Sequence, residues 1–356
     1  MSMYKKKILR RVREQRVLHE ATLELTYSCN LDCFYCYNDL EKAGNPLSLD
    51  QYETLLTDMA RMQTLYLMLT GGEPMIHPHF FAIGAIARKL GFVVRVRTNG
   101  HSLSLRNCVR LINEVDPYIV EVSLHGATAE THDRQTRVEG SFKRLVKNIR
   151  TATESGLRLE VVTTPTAWNE HQIEAMFALC DDLGVPLRFQ GPVAPRDNGD
   201  TSPLTIQPLQ ATWDKVTALV TARRQAGLDS GEAVKSSGDK MPEAEPEEAA
   251  MCSVGVAGVD IDPYGNVQAC MHLQESAGNL HEQSIEEIWN HSSLFQRARK
   301  RAVDAALQFT DTAPTQFGAP LFCIAVEENA NKGCSPCSAP CRNQKKSDSI
   351  ESLDRV

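Results

Sequence analysis

The chain has 356 residues, 42% hydrophobic and 23% charged, a balance that supports roughly one to three folded domains and excludes a largely disordered protein. Its formal net charge of −7 argues against a broadly basic nucleic-acid binder, and no apolar run approaches the ~18 residues of a membrane span. The basic start (Lys5, Lys6, Lys7, Arg10, Arg11) has no apolar segment behind it and is no signal peptide, so the 11 cysteines point to metal or redox chemistry rather than to a disulfide framework.

Residues 1–20 carry no strand pattern. From residue 21, β-type apolar runs alternate with helical patterns. Strands are expected over 22–27, 65–70, 92–98, 119–124, 158–164 and 186–190, and helices over 49–62, 79–90, 104–114, 141–155 and 170–183. Ser48 and Gln51 form a capping box at the first helix, and Asn169 stands where the fifth needs an N-cap. Phe142, Leu145, Val146 and Ile149 give the fourth a buried face. Gly91, Gly156 and Gly184 each follow a helix, as terminating glycines do. Six strand–helix alternations predict a parallel sheet with right-handed crossovers, open or curled, and short of the eight units of a closed barrel. In either case the chemistry belongs at the strand C-termini.

The pattern fades over 191–208, and a helix is expected at 209–226. Residues 229–250 are acidic and poor in apolar side chains, which reads as a linker. A hairpin follows, with Val259 and Ile261 before the turn Asp262-Pro263-Tyr264-Gly265-Asn266, and Val267 and Ala269 after it. Residues 284–306 are expected to be helical and 342–356 to be a polar tail.

The cysteines are clustered. Cys108 and Cys180 lie in apolar, helix-like stretches and read as small buried hydrophobes. Cys29, Cys33 and Cys36 follow the first strand at C-x3-C-x2-C spacing. Three thiolates on one loop can hold three irons of a cubane cluster and leave the fourth iron open, with Phe34 and Tyr35 shielding its edge. The alternative is zinc, which would need a fourth ligand; His77 is the nearest histidine in sequence. Thr70-Gly71-Gly72-Glu73-Pro74 ends the second strand. Its glycines permit close backbone approach to a ligand, and Glu73 with nearby carbonyls suits an ammonium group. The plain alternative is a turn with an exposed glutamate.

The second group begins with Cys252, Gly265 and Cys270 as C-x12-G-x4-C. Cys323 follows, then Cys334, Cys337 and Cys341 as C-x2-C-x3-C.

Cys-x3-Cys-x-aromatic-Cys after strand one, with Gly-Gly-Glu-Pro after strand two, resembles the radical S-adenosylmethionine (SAM) superfamily over about residues 20–210. The resemblance implies an α/β fold, a partial (β/α)6 TIM-type barrel. It implies a [4Fe–4S] cluster on Cys29, Cys33 and Cys36 whose open iron is chelated by SAM. Gly71, Gly72 and Glu73 would hold the SAM amino group, and Thr98, Asn99 and Ser123 would complete its seat. Arg134 or Arg137 would pair with the SAM carboxylate. His125 stands where an aspartate is common in the family, so its role is open. One electron from the cluster would cleave SAM to methionine and a 5′-deoxyadenosyl radical that abstracts a substrate hydrogen.

The second group resembles the SPASM/twitch extension of peptide maturases, a small C-terminal Cys-rich α+β unit. The full extension has seven cysteines and two auxiliary [4Fe–4S] clusters. This chain offers six (Cys252, Cys270, Cys323, Cys334, Cys337, Cys341), enough for one cluster, while a second needs two cysteines alone or a non-Cys ligand such as His272 or Asp262. A structural zinc site is the alternative there. The implied divisions are a basic segment at 1–20, the barrel at 21–210, a helix and linker at 211–250, the auxiliary unit at 251–342 and a tail at 343–356.

The expected function is hydrogen abstraction from a ribosomally made peptide, giving a crosslink, an oxidation or a backbone excision. The motif order resembles maturases of the pyrroloquinoline quinone and mycofactocin type. Expected partners are the precursor peptide, a separate leader-peptide-binding protein and a low-potential donor of flavodoxin or ferredoxin type, with no nucleic acid and no membrane. Oxygen-sensitive clusters imply a cytoplasmic, oxygen-protected setting. A small-molecule enzyme, such as one acting on tetrapyrrole side chains, is the second reading, and a non-catalytic iron–sulfur scaffold the third. Arg196-Asp197, after strand six, reads as a loop ion pair.

Overall fold

The computed structural model describes residues 11–12, 14–228, 255–271 and 273–308. The expectations for 1–10, the linker at 229–250, Cys252, His272, Cys323, Cys334, Cys337, Cys341 and the tail lie outside the described residues.

Six strand–helix units run in chain order: β1 (Glu20–Glu24), α1 (Leu49–Arg61), β2 (Tyr66–Thr70), α2 (Phe80–Lys89), β3 (Val93–Thr98), α3 (Leu105–Arg110), β4 (Ile119–Ser123), α4 (Ala129–Thr136), α5 (Ser141–Glu154), β5 (Leu159–Thr163), α6 (Ile173–Asp182) and β6 (Leu187–Phe189). α7 (Gln210–Gln225) follows, then β7 (Gly258–Ile261), β8 (Asn266–Cys270), β9 (Leu273–Asn279), α8 (Ile285–His291) and α9 (Ser293–Gln308).

All strands from β1 to β6 pair in parallel with their neighbours in sequence. The sheet order is β6-β5-β4-β3-β2-β1-β7-β8-β9, so β6 and β1 do not meet and the barrel stays partial. Parallel pairing places the C-termini of β1 to β6 on one rim, where loops carry function in such folds. Among the described residues no helix is long and apolar enough to cross a membrane.

The core follows from strand alternation. In β3, Val94 and Val96 are buried while Arg95 and Arg97 point to the other face. Leu23, Leu69, Val96, Val120 and Val161 pack with Leu56 and Met59 of α1, Ile83 of α2, Leu145 and Ile149 of α5 and Met176 of α6 in one apolar cluster. Each such side chain contributes ~1.5–3 kcal/mol on burial. Cys108 and Cys180 are buried in this cluster, as small hydrophobes. Ser48 and Gln51 do form the capping box of α1.

The structure differs from expectation at several points. β1 starts and ends earlier than 22–27, because after Glu24 the chain turns to the second strand's loop: Leu25 N donates to Thr70 O, and Thr26 O accepts from Gly72 N. The third helix ends in a π turn over Leu111–Val115, and the helical stretch at 284–306 breaks at Ser292, whose backbone is extended. Asn169 is not a side-chain cap. Its amide is buried, accepting from Thr166 N and donating to the carbonyls of His125 and Thr164. Helix α4 and strand β9 were not expected. The C-terminal hairpin continues the barrel sheet, because β7 pairs in parallel with β1.

Candidate functional site

The cysteine loop leaves β1 at the C-terminal rim and is held from two sides. Helix α4 ends at Arg137, whose left-handed φ of 55° stops the helix and frees its last carbonyls. Thr136 O accepts from Asp32 N at 3.1 Å and Gln135 O from Phe34 N at 2.9 Å. From the other side, Arg196 donates to Phe34 O and Cys36 O, both at 3.1 Å, and Asp197 N donates to Tyr37 O at 2.8 Å. Arg196 pairs with Asp200 at 3.3 Å rather than with Asp197, so the expected loop ion pair is displaced to a different carboxylate.

The three thiols sit half-buried on this loop. Cys29 Sγ accepts from Leu31 N at 3.4 Å and from Asn99 Nδ2 at 3.7 Å. Burial raises the Cys29 thiol, pushes Cys36 up to about 11 and moves Cys33 well above its ordinary value, with the neighbouring thiolates adding to the shift at Cys33. A thiolate set of this kind needs a cationic group to hold its charge, and N–H···S bonds are what a bound iron–sulfur group favours. The donor chemistry therefore fits the cluster. Among the described residues, no three His, Cys, Asp or Glu side chains are arranged to hold a single metal ion. His77, the nearest histidine in sequence, packs edge-on to Tyr52 and accepts from His79 N.

The Gly-Gly-Glu loop after β2 meets this loop directly. Gly71 has a φ of 135°, a conformation reserved for glycine, and a Cβ on Gly72 would lie 2.6 Å from Tyr27 O. Both glycines thus permit approach to the chain's own backbone, where Gly72 N donates to Thr26 O at 2.6 Å and Glu73 N to Ser28 O at 3.0 Å. Glu73 is fully buried, against the reading of an exposed turn glutamate. Its Oε1 accepts from Met75 N and from the Thr98 hydroxyl (2.7 Å), and its Oε2 accepts from Asn99 N at 2.8 Å. Burial raises its pKa while these three bonds oppose the shift. Asn99 also donates to Asn30 Oδ1 at 2.6 Å, which closes a ring of contacts from β2 through β3 to the cysteine loop.

Ser123 ends β4 on the inner face. Beyond it, His125 contacts Tyr35, with the phenol oxygen 3.2 Å from Nδ1 and 3.4 Å from Nε2, and stacks on His132. His132 Nδ1 accepts from His125 N, so that nitrogen carries no proton. Burial drives His125 well below its ordinary value and His132 down to about 4, so both rings are neutral at pH 7. Arg134 lies 4.2 Å over the Trp168 ring and Arg137 4.8 Å over Phe34, and these two aromatic rings are 4.8 Å apart. Arg137 also pairs with Asp32 at 3.3 Å. No motif in the sequence marks Trp168, Gln135 or Arg196 as neighbours of the cysteines.

The inner wall is charged. Glu121 of β4, fully buried, pairs with Arg95, with Arg97 at 2.7 Å and with Arg188 of β6 at 3.1 Å, and Arg188 also pairs with Glu160 at 2.7 Å. The β1 side is acidic. Glu24 is buried beside Tyr37, and burial raises it to about 8, Asp197 to about 7 and Asp260 to about 6.

Of the second cysteine group, the described residues include Cys270 at the end of β8. Asp262 is committed to the hairpin turn: it accepts from the backbone of Tyr264 and Asn266 at 2.9 Å each and pairs with Lys42 at 3.0 Å. Its oxygens are taken up locally.

Comparison with known proteins places this geometry. The radical SAM superfamily model matches residues 23–181, and an iron–sulfur cluster-binding domain model, SPASM, matches residues 252–312. The mycofactocin maturase MftC of Mycobacterium ulcerans (strain Agy99) is 30% identical over 299 residues, covering 78% of this chain and 76% of that protein. The AdoMet-dependent heme synthase of Methanosarcina barkeri (strain Fusaro / DSM 804) is 26% identical over 298 residues, covering 78% of this chain and 83% of that protein. Among solved structures, Streptococcus suis SuiB bound to S-adenosylmethionine superposes with a TM-score of 0.64 at 15% identity, covering 83% of this chain and 72% of that one. SuiB bound to its precursor peptide SuiA superposes with a TM-score of 0.64 at 14% identity, covering 83% and 70%. With these matches over a partial barrel and its cysteine loop, the chain belongs to the radical SAM superfamily and carries a SPASM iron–sulfur cluster-binding domain.

Proposed function

We propose that this enzyme modifies a ribosomally made precursor peptide by radical chemistry begun at the rim of the barrel. The observation that carries the reading is the convergence of the cysteine loop with the Glu73–Thr98–Asn99 ring, joined by the Asn99 contacts to Cys29 and Asn30. Cys29, Cys33 and Cys36 would hold three irons of a [4Fe–4S] cluster. When bound, the cluster and SAM supply an electron and a 5′-deoxyadenosyl radical that takes a hydrogen atom from the substrate. Glu73 fixes the end of β3 and its own loop through Met75 N, while Thr26 O holds Gly72 N, so the SAM amino group would meet a prearranged loop. Ser123 and Arg134 would face the rest of SAM from the β4 side. Cys252, Cys270, Cys323, Cys334, Cys337 and Cys341 would hold one auxiliary [4Fe–4S] cluster or two. A leader-binding protein in trans, a flavodoxin- or ferredoxin-type donor and a cytoplasmic, oxygen-protected setting complete the reading.

The peptide assignment draws on the maturase relatives and on the peptide-bound structural neighbour. Its test is isotopic. Reconstituted enzyme, reductant and SAM are incubated with a candidate precursor peptide perdeuterated at its side chains, and deuterium is expected in 5′-deoxyadenosine. If peptides from neighbouring reading frames give none, the peptide reading fails. A second reading has its own support: Arg95, Arg97 and Arg188 line the inner wall, a setting suited to the carboxylates of a small molecule, and heme synthases are among the relatives. Deuterium transfer from an iron porphyrin and not from a peptide would favour it.

A further inference from the structure

We infer that Arg196 is the clasp that closes this open barrel over the cysteine loop, and that it positions Cys33 and Cys36 through the backbone between and beside them. The inference rests on the proposed role of the three cysteines and extends it to a residue 160 positions away from Cys36 in sequence.

The sheet leaves a gap between β6 and β1. A closed barrel would fill it with strand-to-strand hydrogen bonds. Here the loop after β6 reaches across the rim instead. The Arg196 guanidinium uses one terminal nitrogen on Cys36 O and the other on Phe34 O, and Asp197 N adds the bond to Tyr37 O. Three hydrogen bonds therefore join the last barrel strand's loop to the first, at the residues that flank the thiols. The planar fork suits this task, since two carbonyls are bridged by one rigid group. The fork itself is fixed: Nε pairs with Asp200 at 3.3 Å, and Arg196 N donates to Asp200 O at 2.9 Å. The Arg196 side chain is only 14% exposed, so these contacts are shielded from water.

The opposite side of the loop cannot do the same work. The end of α4 offers carbonyls, which take the Asp32 and Phe34 N–H groups. Arg196 supplies the donors that the loop's own carbonyls need, and without it the Phe34 and Cys36 carbonyls lose these partners. It also sets a positive charge beside the loop, 3.1 Å from the Cys36 carbonyl oxygen. The clasp thus has two separable parts, a fork that fixes geometry and a charge set beside the cysteine loop.

The test uses the full-length chain with Arg196→Lys and Arg196→Gln. In the metal-free protein, the alkylation rate of Cys33 and Cys36 by iodoacetamide is read by peptide mass mapping, with Cys29 as internal reference. Both variants are expected to expose Cys33 and Cys36 about 10-fold faster relative to Cys29, since a lysine cannot bridge two carbonyls. In the reconstituted protein, iron release to a chelator is expected to accelerate in both variants. The reduction potential of the cluster is expected to fall in Arg196→Gln and to hold in Arg196→Lys, a split that a purely structural role would not give. Wild-type alkylation ratios and iron release in both variants would overturn the clasp. Should Arg196→Gln fail to fold by circular dichroism, Arg196→Lys decides alone, and wild-type alkylation in that variant overturns it. A wild-type chain that takes up no cluster would instead sink the parent reading, and the metal-free alkylation ratios would still judge the clasp.

Discussion

Glu24 ends β1 with the Tyr37 hydroxyl donating to it at 2.8 Å, and it is buried with Asp260, Asp197 and Asp262 as charged neighbours. Burial is the main cause of its rise to about 8, and the nearby carboxylates add to it. Because the folded-state pKa lies above the unfolded value, the protonated carboxyl favours the fold. That stability is fully present below the unfolded pKa of about 4.5 and is lost as pH rises through about 8. The maximal slope for one proton is about 1.4 kcal/mol per pH unit. Glu24→Gln keeps a neutral acceptor for Tyr37 and removes this loss. The denaturant midpoint of the variant, measured from pH 5 to pH 9, is expected to fall less steeply than that of wild type. Asp197 and Asp260 titrate in the same window and leave part of the slope. An unchanged slope would mean that Glu24 is ionised throughout.

At the scale of elements, the rim works because three loops touch through backbone. Gly72 shows it most plainly: an added Cβ would collide with the carbonyls of Tyr27 and Ser28, neither of which is the yielding end of a side chain. Gly72→Ala is expected to push the β2 loop off the cysteine loop and to cut iron bound per chain after anaerobic reconstitution several-fold, with the far-UV circular dichroism kept. Full loading in that variant would show that the contact is dispensable. What the sequence reveals of these elements follows from pattern strength. β3, β4 and β5 are rich in β-branched residues, β2 is a short apolar run, and α1 and α5 have clear apolar faces, so their patterns are readable. Helix α4 (AETHDRQT) has no apolar stripe and hides behind its polar composition. The cysteine spacing and the Gly-Gly-Glu-Pro run are contiguous and can be read directly. The partners of Glu73 and the clasp of Arg196 are not contiguous, since they arise from loops brought to one rim by the sheet.

For the whole molecule, the partial barrel and the hairpin after it form one nine-stranded sheet, with β7 seated against β1. The residue before the cysteine loop and the start of the SPASM region therefore share a strand pair, and Cys270 lies on the strand beyond. This continuity offers a hydrogen-bonded path from the strand that leads into the cysteine loop to the SPASM region. The polar inner wall of the same barrel carries buried carboxyl groups at β1 and arginines paired with Glu121 and Glu160 from β3 to β6. The role proposed for the rim is tested by SAM cleavage. The anaerobically reconstituted chain is mixed with SAM and a low-potential reductant, and 5′-deoxyadenosine is quantified beside a Cys29→Ala, Cys33→Ala, Cys36→Ala triple variant. Reductant-dependent 5′-deoxyadenosine from the wild type and none from the triple variant is the expected result. Equal yields from both, or none from a wild-type chain carrying its cluster, would contradict it.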